Sequence, residues 1–190
     1  MAPPLDSGKG RLCTAVLCLF LAATQGAEAA DQKIFDEMRF GLVGSVADGD
    51  NAEDGVAAEF TVFFDPLGRD EASGLRESLM RPRVHLGAEL GIAGSASQAF
   101  AGLSWTVDLT DRIFAEAGFG GLIHDGTLDD NASGPGLGCR GLFREYAALG
   151  YNLDRNWRVM AQVEHASHAN LCDDPNDGFT RAGMLVGYRF

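Results

Sequence analysis

The stretch that decides the fold is residues 179–190, which read FTRAGMLVGYRF. Side chains alternate between the two faces of a β-strand, so Met184, Val186, Tyr188 and Phe190 share one face. The opposite face carries arginine, glycine and leucine. This stretch therefore predicts an amphipathic β-strand whose apolar face ends in aromatic side chains.

The same alternation recurs along the chain in short segments that are separated by glycine, aspartate and asparagine. In residues 83–92 and 98–109 one face is apolar, and the other carries Gly, His, Glu, Ser, Thr and Asp. Residues 157–167 follow the same rule, with Met160 as the one apolar exception. We predict eight strands, at residues 36–46, 56–64, 83–92, 98–109, 112–124, 140–151, 157–167 and 179–190.

Apolar residues on one face and polar residues or glycine on the other are typical of outer-membrane barrels. Beyond residues 1–29 no apolar run is long enough for a transmembrane helix, so membrane insertion requires a closed barrel. The polar second face argues against a soluble barrel with a hollow apolar interior. We therefore expect an all-β fold, an eight-stranded antiparallel transmembrane β-barrel, in the outer membrane of a Gram-negative bacterium. Its closing strand resembles the signal read by the outer-membrane assembly machinery, an expected partner.

Residues 1–29 have the pattern of a secretory signal peptide. Lys9 and Arg11 precede an apolar run, residues 12–23, and Ala27-Glu28-Ala29 fits a small-residue cleavage site. We expect two parts, the signal peptide at residues 1–29 and the barrel domain at residues 30–190.

Cysteine content and charge narrow the possible partners. Cys139 and Cys172 are the two cysteines outside the signal peptide, and a secreted chain with two cysteines most simply forms one disulfide. The formal net charge is −12, and no basic stripe is present. Nucleic acid is therefore excluded as a partner.

The strand order predicts a topology with both termini in the periplasm. Residues 110–111 and 152–154 form tight periplasmic turns, and residues 66–80 form a longer periplasmic link. Residues 48–55, 93–96, 125–138 and 168–178 face outside. An aromatic girdle is expected near the periplasmic ends of the strands, from Phe64, Tyr151, Trp157 and Tyr188.

Candidate chemistry lies at the outer end of the seventh strand. His165 and Ser167 are two residues apart, so they share a face, and that face is the apolar one. Polar side chains that point towards lipid are costly in a purely structural strand. A serine hydroxyl beside an imidazole is the minimum machinery for acyl transfer, because the histidine accepts the proton as the serine attacks an ester.

These residues resemble the lipid A 3-O-deacylase family, the PagL-like outer-membrane hydrolases. The matching residues are His165-Ala166-Ser167, Ala169 and Asn176-Asp177-Gly178, and the run from His168 to Cys172 resembles a subgroup version of the same loop. The resemblance implies an eight-stranded barrel with its site on the outer wall, Ser167 as nucleophile and His165 as base. It also implies that the substrate is lipid A, or lipopolysaccharide, in the outer leaflet, and that the ester-linked acyl chain at the 3 position is removed. No metal cofactor is implied.

The sequence departs from the family pattern at two positions. His168 stands where an asparagine is expected, so His168, Asn170 and Asn176 are the candidate oxyanion donors. Thr180 stands where the acid of the triad is expected, and loop residues Asp177 and Asp174 are its possible substitutes. A threonine hydroxyl can accept the imidazole N–H but does not stabilise imidazolium as a carboxylate does. The alternative is therefore a catalytically silent barrel with a structural or adhesive role.

A metal site is the weaker interpretation of the same residues. His165, His168 and Cys172 suggest zinc, but the two histidines face opposite sides of an extended strand. Cys172 also has a better partner in Cys139. We therefore expect neither a metal nor another cofactor.

Overall fold

The computed structural model describes residues 34–190 except 48–51, 70–71, 73, 130–133 and 173–174. The expected signal peptide and Asp174 lie outside the described residues. The described part of the chain forms eight strands and one short helix. They are β1 (Phe35–Ser45), β2 (Val56–Phe64), α1 (Leu75–Met80), β3 (Arg83–Gly91), β4 (Gln98–Asp108), β5 (Ile113–His124), β6 (Gly141–Asn152), β7 (Trp157–Ser167) and β8 (Phe179–Arg189).

The strands form one closed antiparallel barrel. Each strand pairs with the next along the chain, and β8 pairs with β1 from Glu37 opposite Arg189 to Ser45 opposite Arg181. This seam leaves no free sheet edge, which is what a strand protein needs in order to cross lipid. The expected eight-stranded antiparallel barrel is confirmed, and every predicted strand end lies within one residue of the observed one.

The outer face of the barrel is apolar. Its exposed side chains include Phe40, Leu42, Phe60, Leu86, Leu90, Ile123, Leu149 and Met184. The interior instead holds charged side chains that are at most 1% exposed, among them Arg39, Arg83, Arg158, Arg181, Glu37 and Glu89. This distribution is the reverse of that in a soluble protein and is the one that a surrounding bilayer requires.

Hydrogen bonds and ion pairs fill the barrel. The buried Glu116 carboxylate accepts hydrogen bonds from Arg39 (2.6 Å), Thr106 (2.6 Å), Tyr146 (2.7 Å) and Arg83. His85, Glu89, Arg158 and Glu164 are also buried in this polar interior. The interior is therefore a packed core.

Met160, the exception to the alternation of β7, has a packing role. It is buried inside the barrel, where it forms a small apolar cluster with Phe114 and Leu185. A methionine on the inner face therefore fills space among the charged side chains.

Aromatic side chains surround the end of the barrel that carries the described chain ends. Ring centroids lie 4.7 Å apart for Phe35 and Phe190, 4.9 Å for Trp157 and Tyr188, and 5.2 Å for Tyr188 and Phe190. Phe64 continues this girdle, with its ring 5.7 Å from that of Phe35.

The long link between β2 and β3 folds at the same end of the barrel. Its second half forms α1, and the indole N–H of Trp105 on β4 donates to the Leu79 carbonyl (3.1 Å). The link is therefore longer than a tight turn because it contains a helix that packs on the sheet. Within the described ranges, no helix is long and apolar enough to span a membrane.

Candidate active site

Polar side chains on the outer wall are concentrated in one place. On the outward faces of the eight strands, all of which the structure describes, only a few side chains other than tryptophan and tyrosine are polar. They are Glu145, His165, Ser167 and Thr180. His165, Ser167 and Thr180 are half-buried, and Glu145 is exposed. The predicted orientation of His165 and Ser167 towards the lipid side is confirmed.

Three of these side chains form a row across three neighbouring strands. Glu145 on β6 is the register partner of His165 on β7, and His165 is the register partner of Thr180 on β8. Residues directly opposite in an antiparallel pair have Cβ atoms about 4.5–5.5 Å apart. Ser167 lies two residues further along β7, towards the end of the barrel that is opposite to the aromatic girdle.

The His165 ring is held by Thr180. His165 Nδ1 lies 2.9 Å from Thr180 Oγ1, within hydrogen-bond distance. When Nδ1–H donates to this hydroxyl, the lone pair of the neutral ring is on Nε2, which is the form that a general base needs. No hydrogen bond joins His165 to Ser167 in the described residues, and such contacts often tighten only when substrate binds.

Gly178 packs directly behind this pair. Its φ is +63°, and a Cβ at this position would lie 2.6 Å from the Ala166 carbonyl oxygen and 3.3 Å from His165 Cε1. The same atom would lie 3.4 Å from Ser167 Cβ. The loop before β8 can therefore approach the base and the nucleophile this closely only because residue 178 has no side chain.

A strained turn follows Ser167. Ala169 and Asn170 both have positive φ, 50° and 58°. The Leu171 N–H donates to the His168 carbonyl (2.9 Å), which closes the turn around these two residues. A left-handed alanine is uncommon, and backbone strain of this kind tends to occur at functional sites.

Asparagine side chains connect the two ends of this loop. Asn176 Oδ1 accepts from the backbone N–H of His168 (3.2 Å), and Asn176 Nδ2 donates to Asn170 Oδ1 (3.0 Å). Asn176 is half-buried and Asn170 is exposed. Two of the three expected oxyanion donors therefore lie together near the outer end of β7.

His168, the third expected oxyanion donor, points elsewhere. Its ring is buried, Nδ1 accepts from the Cys172 backbone N–H (3.2 Å), and Nε2 donates to the Pro175 carbonyl (3.0 Å). Both ring nitrogens are thus used within the loop, and the backbone N–H is used by Asn176. The side chain is a structural part of the loop in this conformation.

A disulfide and a backbone clamp fix the loop to the preceding one. Cys139 and Cys172 are bonded, with their Cα atoms 6.1 Å apart, as expected. The Asp177 N–H donates to the Gly136 carbonyl (3.1 Å), and the Gly136 N–H donates to the Asp177 carboxylate (2.9 Å). Asp177 therefore binds the neighbouring loop rather than His165. Cys139, His168 and Cys172 are close enough to hold a metal, but the disulfide occupies both sulfur atoms.

A comparison of the sequence with protein families identifies the family of this chain. The family model described as lipid A 3-O-deacylase (PagL) matches residues 56–189 of this chain. The chain belongs to the lipid A 3-O-deacylase family. None of the curated proteins matches the sequence.

The crystal structure of one relative shows the same fold. The crystal structure of the outer membrane enzyme PagL is 19% identical, with a TM-score of 0.58 over 80% of this chain and 97% of that chain. A structure titled de novo design of transmembrane beta-barrels is 12% identical, with a TM-score of 0.47 over 85% of this chain and all of that one. This member of the deacylase family therefore shares the barrel fold of that outer membrane enzyme.

An apolar groove of about 420 Å³ adjoins the polar row in this family member. Phe143, the register partner of Ser167, lines it, and the Phe119 and Phe143 rings stack with centroids 5.9 Å apart. Gly120, Gly121 and Gly141 also line the groove, as does Leu171 of the loop. The absence of side chains at Gly121 and Gly141, which face outwards on β5 and β6, deepens the wall beside Ser167.

The sequence patterns did not predict that Glu145 belongs to the site. The outward face of β6 otherwise carries glycine, alanine, leucine and aromatic residues, so an acidic residue within this apolar set was the available signal. The pairing of Glu145 with His165 depends on the register between β6 and β7.

Gly178 provides a test of the site that the structure makes specific. We expect Gly178→Ala to lower turnover by about 10- to 100-fold, because a Cβ would press on the Ala166 carbonyl and displace the His165 ring, and small misplacements are costly in catalysis. The loss of free energy of unfolding should be about 1–2 kcal/mol from the left-handed alanine. Hydrolysis rates in detergent micelles measure the first effect, and urea unfolding measures the second. Gly134→Ala, at another positive-φ glycine where a Cβ meets nothing within 4 Å, is the matched control.

Proposed function

We propose that this family member hydrolyses the ester that links an acyl chain to the 3 position of lipid A, with Ser167 as nucleophile and His165 as base. The observation that carries the proposal is the row of polar side chains on an otherwise apolar outer wall. Lipid A resides in the outer leaflet, so a site on the wall reaches its ester bond without extraction of the substrate from the membrane.

The chemistry is ordinary acyl transfer. Ser167 Oγ attacks the ester carbonyl as His165 Nε2 takes the hydroxyl proton, and a tetrahedral oxyanion forms. Collapse of this intermediate breaks the ester C–O bond, and the protonated His165 gives its proton to the departing sugar oxygen, which leaves as a hydroxyl. Water, deprotonated by His165, then attacks the acyl-enzyme and releases the fatty acid while Ser167 regains its proton.

The neighbouring residues take supporting roles. Thr180 fixes the tautomer of His165 by accepting from Nδ1–H, which leaves Nε2 directed to the reaction. Asn176 and Asn170 are the donors that we assign to the oxyanion, since both amides lie on the loop that leaves β7. The groove beside Phe143 accommodates the hydrocarbon chain next to the ester bond, because its lining is apolar and its volume of about 420 Å³ is open to the wall.

Mass spectrometry of lipid A tests this function. Cells that express the chain should lose one hydroxyacyl chain from lipid A and release the corresponding free fatty acid, compared with cells that carry the empty vector. Unchanged lipid A, with the barrel folded in the outer membrane, would support the silent structural or adhesive barrel instead.

A second test concerns the acid position of the family. Thr180→Glu is expected to raise turnover by about 10- to 100-fold, because a carboxylate bonded to Nδ1–H stabilises the imidazolium that forms during reaction. The rate of fatty-acid release from purified lipid A measures the effect. Thr180→Gln supplies a similar shape and a hydrogen-bond acceptor without charge, so it should give no such increase. A rate for Thr180→Glu equal to that of Thr180→Gln would contradict this role of charge.

Two proposals concern export and assembly. We propose that residues 1–29 direct secretion and are removed, which N-terminal sequencing of the membrane-inserted protein would show as a start near Ala30. We also propose that the amphipathic β8, with Met184, Val186 and Tyr188 on its outward face, is recognised by the assembly machinery. Replacing Tyr188 with serine should slow insertion in cells, and an unchanged insertion rate would contradict this recognition.

A further inference from the structure

Glu145 is an unusual residue for its position. It is the only carboxylate on the outward faces of the eight described strands, and its side chain is exposed. No residue that the structure describes forms a hydrogen bond or an ion pair with it. A charged side chain on the lipid face opposes insertion, so an ionisable residue there is a candidate for function rather than stability.

The position of Glu145 relative to His165 is specific. The two residues are directly opposite in the ladder between β6 and β7, while Thr180 is directly opposite His165 in the ladder between β7 and β8. The imidazole is therefore flanked by a hydroxyl on one side and a carboxylate on the other. The acid of the family pattern is expected on β8, where this chain has Thr180.

We propose that Glu145 is a positioning residue that supplies from β6 the negative charge that β8 lacks, and so stabilises the protonated form of His165 during acyl transfer. This inference rests on the proposed hydrolase function. In this arrangement the acid, Glu145, lies on β6, whereas the family position for the acid lies on β8, on the other side of His165. Thr180 still holds His165 Nδ1.

Electrostatics supports this role even without a direct hydrogen bond. Directly opposed residues have Cβ atoms about 5 Å apart, so the carboxylate can reach the ring, and charges at such range interact strongly where lipid and protein surround them. Other charged groups near His165 are already paired. Arg144 and Glu164 form an ion pair on the inner face of β6 and β7, and Asp177 binds the Gly136 N–H. The ring of His168 is buried in the loop, and β8 presents no titratable side chain next to His165.

Substitutions at Glu145 test the inference through kinetics. Glu145→Gln should lower kcat by about 10- to 100-fold with little change in KM, because charge is lost where imidazolium forms. Glu145→Asp should retain most of the activity. Recovery of kcat in Glu145→Asp but not in Glu145→Gln, with KM unchanged in both, is the readout that a structural role does not move.

Two further variants separate chemistry from folding. Glu145→Leu replaces a charge with an apolar side chain on the lipid face, so it should lower kcat like Glu145→Gln while the barrel unfolds at equal or higher urea concentration. Ala147→Gln, on the same face of β6 and two residues away, introduces an amide away from His165 and should leave kcat unchanged. In a Thr180→Glu background, Glu145→Gln should have little effect because β8 then supplies the charge.

The outcomes distinguish this inference from the function beneath it. If the parent hydrolyses lipid A and Ser167→Ala does not, the function stands whatever Glu145 does. Wild-type kcat in Glu145→Gln, or an equal loss of kcat in Glu145→Asp, would then overturn the role of Glu145 alone. An inactive parent with unmodified lipid A would overturn the function itself.

Discussion

Replacing Ser167 with alanine is expected to lower fatty-acid release from lipid A by at least about 10³-fold, because removal of the nucleophile leaves only binding and oxyanion stabilisation. Ser167 is the only hydroxyl on the outward face of β7, next along that face to His165. Single-turnover measurements with purified lipid A should show no acyl-enzyme in the variant. His165→Gln should cause a loss of similar size, since the two residues act as a unit.

We also expect the Ser167→Ala barrel to remain folded while its activity is lost. Ser167 is half-buried at the end of its strand, and substitutions away from core contacts usually change the free energy of unfolding by less than about 0.5 kcal/mol. The heat-modifiable mobility of the folded barrel on a gel provides the check. Residual activity of Ser167→Ala near that of the parent would assign the nucleophile to another residue.

The largest stability effect is expected inside the barrel, at Glu116. Glu116→Ala should lower the free energy of unfolding by about 3–5 kcal/mol, because Arg39 and Arg83 would remain buried without their shared carboxylate. Thr106 and Tyr146 would also lose their acceptor. Urea unfolding in lipid vesicles, followed by tryptophan fluorescence, measures the change.

Two control substitutions define the origin of that loss. Glu116→Gln keeps an acceptor for Thr106 and Tyr146, so it should be less destabilising than alanine. Asp111→Ala, in the exposed turn between β4 and β5, should stay within about 0.5 kcal/mol of the parent. Equal stability of Glu116→Ala and the parent would show that the buried arginines find other partners.

Strand alternation explains why so much of the fold could be predicted. Successive side chains of β3, β4 and β7 point alternately to the lipid and to the interior. This one pattern with a period of two residues therefore predicts both where each strand ends and which side each residue faces. The orientation of His165 and Ser167 follows from the same rule. The helix α1 was predicted only as a long link, because its six residues have no lipid-facing pattern.

The sequence alone did not predict which side chains meet across neighbouring strands. Glu145 meets His165 through the register of two ladders, and in a barrel this register depends on the overall stagger of the strands. The orientation of His168 depends on a turn with two successive left-handed residues, one of them alanine. Alanine gives no signal for such a conformation, so an extended continuation of β7 was the natural expectation.

The packed interior has a consequence for the permeability of the outer membrane. The arginine and glutamate side chains inside the barrel are paired with one another, and Phe114, Met160 and Leu185 occupy part of the same space. Small barrels filled in this way leave no room for a column of water. We therefore expect the folded barrel to add no ion current when it is inserted into a planar lipid bilayer.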